Sequence, residues 1–308
     1  IKVMDATLRD GGLVNDFYFT DDFVKALYKT NLEAGVDYME MGYRASKKVF
    51  DETKFGKWKF CSDDHIREIV GENDTDLKLA IMADIGRHDK NDFDEKVNSP
   101  VDMVRVAAYI HQMPEAIDMI EDAHKKGYET TCNIMAISQT RESDLKVALD
   151  MLGKTPVDTI YIVDSFGSIY PEEMKRIVDI YMEAATKYGK QLGVHAHNNQ
   201  QLAFANTIEA CGDGVNWLDA TYKGMGRGAG NCAMELLLGF LKNPKYNTYP
   251  VFRFISDYMV KLEEDGVVWG YDLQYLMTGQ FNQHPRAAIK FTKDKRKDYA
   301  EFYKELIV

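Results

Sequence analysis

Clustered cysteines, dense basic runs and long apolar stretches are all missing from this sequence. Its four cysteines, Cys61, Cys132, Cys211 and Cys232, form no C-x-x-C pair, which argues against a thiolate metal site or a redox dithiol. No run of about 18 uncharged apolar residues occurs, and the first residues lack the pattern of a signal peptide, so we expect a cytoplasmic protein without a membrane span. Lysine and arginine total 38 against 49 acidic residues, a net charge of -11, which argues against nucleic acid as a partner.

What the sequence does contain is a regular alternation of short apolar runs and longer helical patterns up to about residue 242. The apolar runs are typical of β-strands, and several of the helical patterns open with Asp or Pro and end at Gly. Eight such units predict a (β/α)8 TIM barrel, which takes roughly 250 residues, rather than an open doubly wound sheet, which normally has fewer strands. The predicted strands cover residues 1–7, 36–42, 77–84, 101–109, 129–138, 157–165, 191–197 and 215–224.

The domain organisation follows from the same alternation. No linker or low-complexity segment interrupts it, so we predict a catalytic barrel domain over residues 1–242. Residues 243–308 are predicted to be a helical C-terminal extension, because VFRFISDYMVKLEEDG is amphipathic and WGYDLQYLMTGQFNQHP combines aromatic with polar residues. That composition suits a segment that covers the barrel mouth or forms a subunit interface, and the second alternative would make the protein a homo-oligomer.

Polar residues at the C-terminal ends of the strands are the candidates for chemistry, because TIM-barrel active sites are built there. His195 and His197 are two apart on the seventh strand, which directs both rings to one face about 6.5 Å apart. Asp10 follows the first strand, which in a closed barrel lies about two strand spacings, ~9–10 Å, from the histidines. This ligand set suits one divalent ion, Mn, Fe, Co or Zn with Mg as a further option, and we expect Mn2+. The alternative is a pair of satisfied interior histidines.

Four further residues are candidates for substrate binding or catalysis. Arg9, beside Asp10, could stabilise an enolate oxygen or hold a carboxylate, or it could simply neutralise Asp10 or Glu40. Glu40, near the end of the second strand, could act as an acid/base, but we favour a role in orienting Arg9. Asn133 on the fifth strand and Asp164 at the end of the sixth are expected to line the mouth, and a purely structural role is equally open for each.

The segment GMGRGAGN, residues 224–231, is the one glycine-rich loop with a chemical interpretation. It follows the eighth strand and is expected to open a helix, so the amides around Gly226 and Gly228 could hold a carboxylate or phosphate. Two alternatives remain open. The glycines could serve only a tight turn, and Asn231 could be the N-cap of the next helix.

Taken together, DATLRDGG at 5–12, HAHNN at 195–199 and GMGRGAGN at 224–231 resemble the HMGL-like, or DRE-TIM metallolyase, superfamily. The resemblance covers the whole barrel, and the glycine-rich loop is most similar to that of the 4-hydroxy-2-oxovalerate aldolases. It implies that Asp10, His195 and His197 bind the metal, that Asn231 is an additional ligand, and that Arg9 stabilises the enolate.

The resemblance also implies an activity. Family members join or cleave carbon–carbon bonds through a metal-stabilised enolate, so the nearest expectation is an aldolase that acts on a 4-hydroxy-2-oxo acid, with a 2-oxo acid and an aldehyde as its small-molecule partners. A Claisen-type synthase that uses an acyl-CoA and a 2-oxo acid is one alternative, and a non-catalytic metal- or ligand-binding barrel is another. The extension is short for the domain with which these aldolases dock an aldehyde dehydrogenase, so that partner is not expected.

One departure from the aldolase pattern concerns the base. The aldolases carry a histidine three residues after the metal aspartate, where this sequence has Leu13, and a leucine cannot move a proton. We expect His284 to take the role, because the proline after it favours a loop and an imidazole titrates near neutral pH. Tyr43, which follows the second strand, is the main rival, and the other candidates are Tyr109 and Tyr271.

Overall fold

The barrel predicted from the alternating pattern is present in the structure, a computed structural model that describes residues 1–89 and 92–307. Eight parallel strands pair in chain order, and the last strand pairs with the first to close the barrel. All eight predicted strands are confirmed, each somewhat shorter than its apolar run. They are β1 (Lys2–Asp5), β2 (Tyr38–Tyr43), β3 (Lys78–Asp84), β4 (Met103–Ala108), β5 (Glu129–Ile134), β6 (Thr159–Asp164), β7 (Gln191–Ala196) and β8 (Trp217–Ala220).

Helices surround the barrel and show the end signals that the sequence predicts. The second helix begins after Thr20, whose hydroxyl accepts the N–H of Phe23, and it ends at Gly35 in the left-handed conformation. Between β3 and β4 the described residues form only a 3-10 turn, Lys96–Asn98, rather than an α-helix. The barrel helices are α1 (Thr7–Gly11), α2 (Asp21–Ala34), α3 (Asp63–Val70), α4 (Met113–Lys125), α5 (Glu142–Gly153), α6 (Pro171–Tyr188), α7 (Ala203–Gly212) and α8 (Met234–Leu241).

The interior of the barrel changes from apolar to charged along the strands. A buried apolar cluster separate from the main core includes Tyr38, Met103 and Trp217. Side chains two residues apart on a strand share a face, so the next inward positions on these three strands are Glu40, Arg105 and Asp219. All three are buried to within 1% of complete exclusion from solvent. The barrel therefore carries a charged layer on the C-terminal side of its apolar filling.

The C-terminal extension consists of further helices in two groups. The helices α9 (Thr248–Phe254) and α10 (Val260–Glu264) are joined by a π turn, and the Phe254 ring packs on Phe23 of α2 at 5.2 Å between centroids. The helices α11 (Leu273–Gln280), α12 (Arg286–Lys293) and α13 (Tyr299–Ile307) share a small core of their own around Phe291 and Phe302. None of the described helices has the length and hydropathy that a membrane span requires.

Hydrogen bonds attach the turn between α11 and α12 to the barrel mouth. Asn282 accepts at its Oδ1 from the hydroxyls of Ser138, at 2.7 Å, and Ser168, at 2.9 Å. Its Nδ2 donates to the Ser138 carbonyl at 2.9 Å. Ser138 and Ser168 lie in the loops after β5 and β6, so this turn is held at the C-terminal ends of the strands, and it places His284 there.

Candidate active site

Three side chains that could bind a metal converge at the C-terminal end of the barrel. Asp10 lies in α1, the single helical turn after β1, while His195 lies on β7 and His197 follows that strand by one residue. Their ligand atoms all lie within 4.8 Å of one another, and the three side chains are buried. The two imidazole rings are 5.1 Å apart and nearly perpendicular, so each presents a different edge to the space between them.

Asp219 fixes the orientation of the His195 ring. Its Oδ2 lies 3.0 Å from His195 Nδ1 and also accepts from Arg105 Nη2 at 2.7 Å. Although burial opposes ionisation, the Arg105 charge keeps the pKa of the Asp219 carboxyl below its ordinary value. A carboxylate at Nδ1 selects the tautomer with the proton there, which leaves the Nε2 lone pair free. Nε2 is buried and has no hydrogen-bond partner in the described parts of the chain.

Charge states at the site also suit metal binding. Burial opposes ionisation of Asp10, but the charge of Arg9 keeps the pKa of its carboxyl well below the ordinary value. Burial lowers the pKa of His197 well below its ordinary value, and the nearby Arg227 adds to this effect. At neutral pH the protein therefore offers an ionised carboxylate and a neutral imidazole, which are the forms that bind metal ions.

Asn231 completes the group. Its Nδ2 donates to Asp10 Oδ2 at 2.6 Å and to the Met225 carbonyl at 3.2 Å, while its Oδ1 is buried without a partner among residues 1–89 and 92–307. It is not the N-cap of the following helix, because α8 begins at Met234 with Ala233 as its cap. The amide therefore contacts the candidate ligand Asp10 directly.

These donor atoms fit a divalent cation. The carboxylate of Asp10 and the two imidazoles form a mixed oxygen and nitrogen set. Two further observations agree with a cation between them, namely the partnerless Nε2 of His195 and the partnerless Oδ1 of Asn231. A bound cation would satisfy both atoms, which otherwise stay buried without compensation.

Arg9 is held in place by two carboxylates. Its Nε donates to Glu40 Oε2 at 2.8 Å and its Nη1 donates to Asp10 Oδ1 at 2.7 Å. Glu40 lies in turn 3.0 Å from Arg105 Nη1. Burial disfavours the charged guanidinium, but Glu40 and Asp10 raise the pKa of Arg9, so it remains a cation. This geometry agrees with an orienting role for Glu40, which faces two arginines.

A cavity of about 70 Å³ lies against the three candidate metal ligands. Five of the residues singled out from the sequence line it besides Arg9, Asp10 and the histidine pair, namely Leu13, Tyr43, Tyr109, Asn133 and His284. Leu13 thus faces the cavity, so the cavity wall is apolar at the position where the aldolases carry a histidine. The remaining lining residues are Met82, Ala107, Met135, Val163, Ser165, Phe166 and Arg227.

Other candidate residues lie outside the cavity wall. The Asp164 carboxylate accepts the backbone N–H groups of Ser168 and Ile169, so it shapes the loop after β6. Tyr271 is 44% exposed and does not line the cavity. We therefore find no geometric support for a substrate contact by Asp164 or for proton transfer by Tyr271.

The glycine-rich loop differs from its expected form. A 3-10 turn follows β8, and α8 begins only at Met234, so the loop does not lead directly into a helix N-terminus. Gly226 packs against the metal site, because a Cβ there would lie 2.1 Å from Asn231 Nδ2 and 2.5 Å from Asp10 Oδ2. Gly228 has a φ of +64° and lies against the Tyr275 ring. The glycines allow close packing, and the loop's contribution to the cavity is the Arg227 side chain.

Sequence reasoning did not single out Arg105, Asp219 or Arg227. The first two interrupt the otherwise apolar strands β4 (MVRVAA) and β8 (WLDA), and a charge in the middle of a buried strand is a signal of a paired interior group. Arg227 stands within the glycine-rich loop, where the sequence predicts an anion site formed by backbone amides. Its side chain could not be placed without the course of the loop.

Comparison with known proteins identifies the family. The family model described as HMGL-like matches residues 1–253. An oxaloacetate decarboxylase from Mycobacterium tuberculosis is 28% identical over 242 residues, which cover 78% of this chain and 69% of the relative. A 4-hydroxy-2-oxovalerate aldolase from Thermus thermophilus is 29% identical over 247 residues, 80% of this chain and 70% of the relative.

A solved structure extends the likeness to almost the whole chain. The N-terminal domain of a candidate aldolase from Bacteroides vulgatus superposes with a TM-score of 0.79 and 30% sequence identity, and the match covers 95% of this chain and 97% of that one. The fold, the motifs and the family match agree. The chain belongs to the HMGL-like family, among the DRE-TIM metallolyases, and is an enzyme of the carbon–carbon lyase class.

Proposed function

We propose that this enzyme is an aldolase that cleaves a 4-hydroxy-2-oxo acid, or forms it, through a pyruvate-type enolate, and that Mn2+ is its metal. The observation that carries the proposal is the convergence of Arg9 and the Asp10, His195 and His197 set on one cavity. Relatives whose names refer to 4-hydroxy-2-oxovalerate and to oxaloacetate, both 2-oxo acids, support this substrate class.

The protein's residues have distinct tasks in this scheme. Asp10, His195 and His197, with Asn231, would hold the metal, which when bound supplies Lewis-acid polarisation of the 2-oxo acid oxygens. Arg9, which keeps its charge, donates hydrogen bonds to the oxygen that becomes negative as the C3–C4 bond breaks and its electron pair remains with C3. Glu40 holds the guanidinium in position, and the C4 hydroxyl loses its proton as its carbon becomes the aldehyde.

The geometry limits which side chain can accept the proton of the C4 hydroxyl. His284 lines the cavity, but its Nδ1 accepts the N–H of Arg286 at 3.1 Å. A neutral imidazole in that arrangement carries its proton on Nε2, so this nitrogen donates rather than accepts. Burial and the charges of Arg227 and Arg286 lower the pKa of His284 to about 4, so it is neutral at physiological pH. His284 can serve as the base only if the contact with Arg286 is released.

Tyr43, the main rival to His284, lies in the cavity wall together with Tyr109. Burial, followed by the charge of Asp84, raises the pKa of Tyr43, so its hydroxyl keeps its proton and serves more readily as a donor than as a base. His284→Gln, Tyr43→Phe and Tyr109→Phe separate the three assignments. The variant that lacks the true acid/base group should lose cleavage by roughly 100-fold or more and still bind oxalate in the presence of metal. A structure with bound 2-oxo acid tests His284 directly, because the base must lie within one bridging water of the substrate.

The central test is exchange of the pyruvate methyl protons in deuterated water. Wild-type protein with Mn2+ should exchange them at a rate that falls to background when the metal is chelated. Arg9→Lys should slow exchange by roughly 100-fold, because an ammonium cannot reproduce the fork held by Glu40 and Asp10. Absence of exchange with every divalent metal tried would contradict the proposed enolate chemistry.

Two other outcomes identify the alternatives. Thiol release from acetyl-CoA in the presence of a 2-oxo acid would indicate Claisen-type condensation instead of aldol chemistry. Metal-dependent binding of oxalate without either exchange or cleavage would indicate a non-catalytic ligand-binding barrel.

A further inference from the structure

The arginines of this chain divide into two groups by their partners. Eight of the eleven have a carboxylate oxygen within 4 Å. Arg141, Arg227 and Arg286 have no such partner among the carboxylates of the described residues. Arg141 and Arg286 are exposed and can be solvated by water, whereas Arg227 is half-buried, so the lack of a carboxylate partner calls for a physical explanation at Arg227.

These three arginines lie at one place, the entrance to the active site. Arg227 lines the inner cavity beside the metal-binding side chains. Arg141 and Arg286 line a second, outer cavity of about 500 Å³. Tyr109, Met135, Phe166 and His284 belong to the walls of both cavities, so the outer one continues the inner one towards solvent.

Arg227 is positioned to bind a ligand. Its Nη2 donates to the Ser165 carbonyl at 2.8 Å, which anchors the guanidinium, and its Nε is buried without a partner among the described groups. Its Nη1 lies 3.5 Å from His284 Nε2. Because His284 carries its proton at Nε2, that contact joins two donors and satisfies neither. An anionic oxygen between them would accept from both.

The outer cavity adds positive charge with little to offset it. Arg141 is the N-cap of α5 and Arg286 is the first residue of α12, so both stand at helix N-termini, where the helix dipole also favours an anion. Asp144 is the acidic residue in this wall. A group of like charges around a cavity mouth attracts ligands of opposite charge.

We propose that the half of the substrate released as the aldehyde carries its own anionic group, a carboxylate or a phosphate, which Arg227 binds with His284, and that Arg141 and Arg286 attract it from solvent. This inference rests on the proposed aldol function and names its substrate class. The 2-oxo acid end is assigned to Arg9 and the proposed metal ligands, and the second anion is assigned to Arg227 and His284.

The first experiment measures anion binding without chemistry. Metal-free protein is titrated with methyl phosphate and, separately, with propionate, and the more tightly bound probe identifies the preferred anion. Arg227→Gln should weaken its binding about tenfold or more, and Arg141→Gln and Arg286→Gln should weaken it by smaller factors. Arg253→Gln, which removes an exposed arginine paired with Glu33, is the matched control and should bind as the wild type does. Equal binding by wild type and Arg227→Gln would overturn the assignment.

The second experiment measures specificity in aldol addition of pyruvate. Succinic semialdehyde is compared with pentanal, and glycolaldehyde phosphate with glycolaldehyde, as ratios of kcat/KM for the charged over the neutral aldehyde. At least one ratio should be about ten or more in wild type and should fall towards one in Arg227→Gln. Both ratios near one in a wild-type enzyme that exchanges the pyruvate methyl protons would overturn the inference and leave the proposed function intact. Without exchange, the aldol function fails while the binding experiment still tests the anion site.

Discussion

Asp219 Oδ2 lies 3.0 Å from Nδ1 of His195, so a residue on β8 sets the tautomer of a candidate metal ligand on β7. We predict that Asp219→Asn lowers metal affinity by about 10–100-fold, because an amide neither stabilises the Nδ1 proton as strongly nor balances Arg105. Metal titration of the purified variant measures the effect. Asp213→Asn, which removes a surface carboxylate paired with Lys175, should leave the affinity unchanged. Wild-type affinity in Asp219→Asn would show that the aspartate does not support the metal site.

The proposed metal ligands are tested by removing them one at a time. Asp10→Asn and His197→Ala should each lose the bound ion, because either change removes one of the three proposed ligands, a carboxylate or an imidazole. Metal analysis after gel filtration gives the occupancy, and circular dichroism shows whether the barrel is folded. His124→Ala, on the outer helix α4, serves as the control. Full metal occupancy in both site variants would mean that the ion binds elsewhere.

Gly226 offers a test that leaves every donor atom in place. In Gly226→Ala the added Cβ would lie 2.1 Å from Asn231 Nδ2 and 2.5 Å from Asp10 Oδ2, so both side chains must shift. We predict at least a tenfold loss of metal affinity in a folded protein. The matched control is Gly239→Ala in α8, where a Cβ would meet no atom within 4 Å. That change should keep the affinity and stabilise the helix by about 0.5–1 kcal/mol. Unchanged metal affinity in Gly226→Ala would contradict the proposed packing.

Asp164 gives a prediction about pH and stability. Burial raises the pKa of its carboxyl from 3.8 to about 7, although backbone N–H groups oppose this shift. Because the folded pKa lies above the unfolded one, the stabilising contribution is complete below about pH 4 and is lost as pH rises through 7. In metal-free protein, the free energy of unfolding of wild type should fall by about 2–3 kcal/mol more between pH 5 and 8 than that of Asp164→Asn, which cannot ionise.

Urea unfolding at the two pH values measures this difference. Glu121→Gln, on the exposed face of α4, should keep the wild-type pH dependence. The same pH dependence in Asp164→Asn and wild type would show that the carboxyl does not titrate in this range.

The barrel can be predicted from the sequence because the apolar composition of each strand indicates by itself that the strand is buried. A parallel strand that is covered on both sides is apolar along its length, and runs such as LKLAIMAD and VDTIYIVDS show this without reference to any other part of the chain. The His195 and His197 pair and Asp10 could be placed on one site because barrel closure makes strands 1, 7 and 8 neighbours. The order of the strands in a closed barrel is sufficient for that prediction.

The contacts on which the proposed specificity depends could not be predicted in the same way. Arg227 faces the cavity because the loop after β8 turns before α8 begins, and His284 reaches it because Asn282 is tied to the loops after β5 and β6. Each depends on the meeting of segments far apart in the chain. The periodicity of apolar residues contains no information on contacts between distant segments. The tautomer of His284 could not be predicted either, because it depends on the N–H of Arg286 in the same turn.

The closure of the barrel between β1 and β8 has a consequence for how the protein folds. Asp10 follows the first strand, and Asn231 follows the last, so the two meet only after the ends of the barrel have come together. An ion that bound both, together with His195 and His197, would have high affinity for the closed barrel and little for any partly folded form with an open seam. Metal concentration would then act on the folding equilibrium, and the seam should be the part of the barrel whose opening the ion suppresses most.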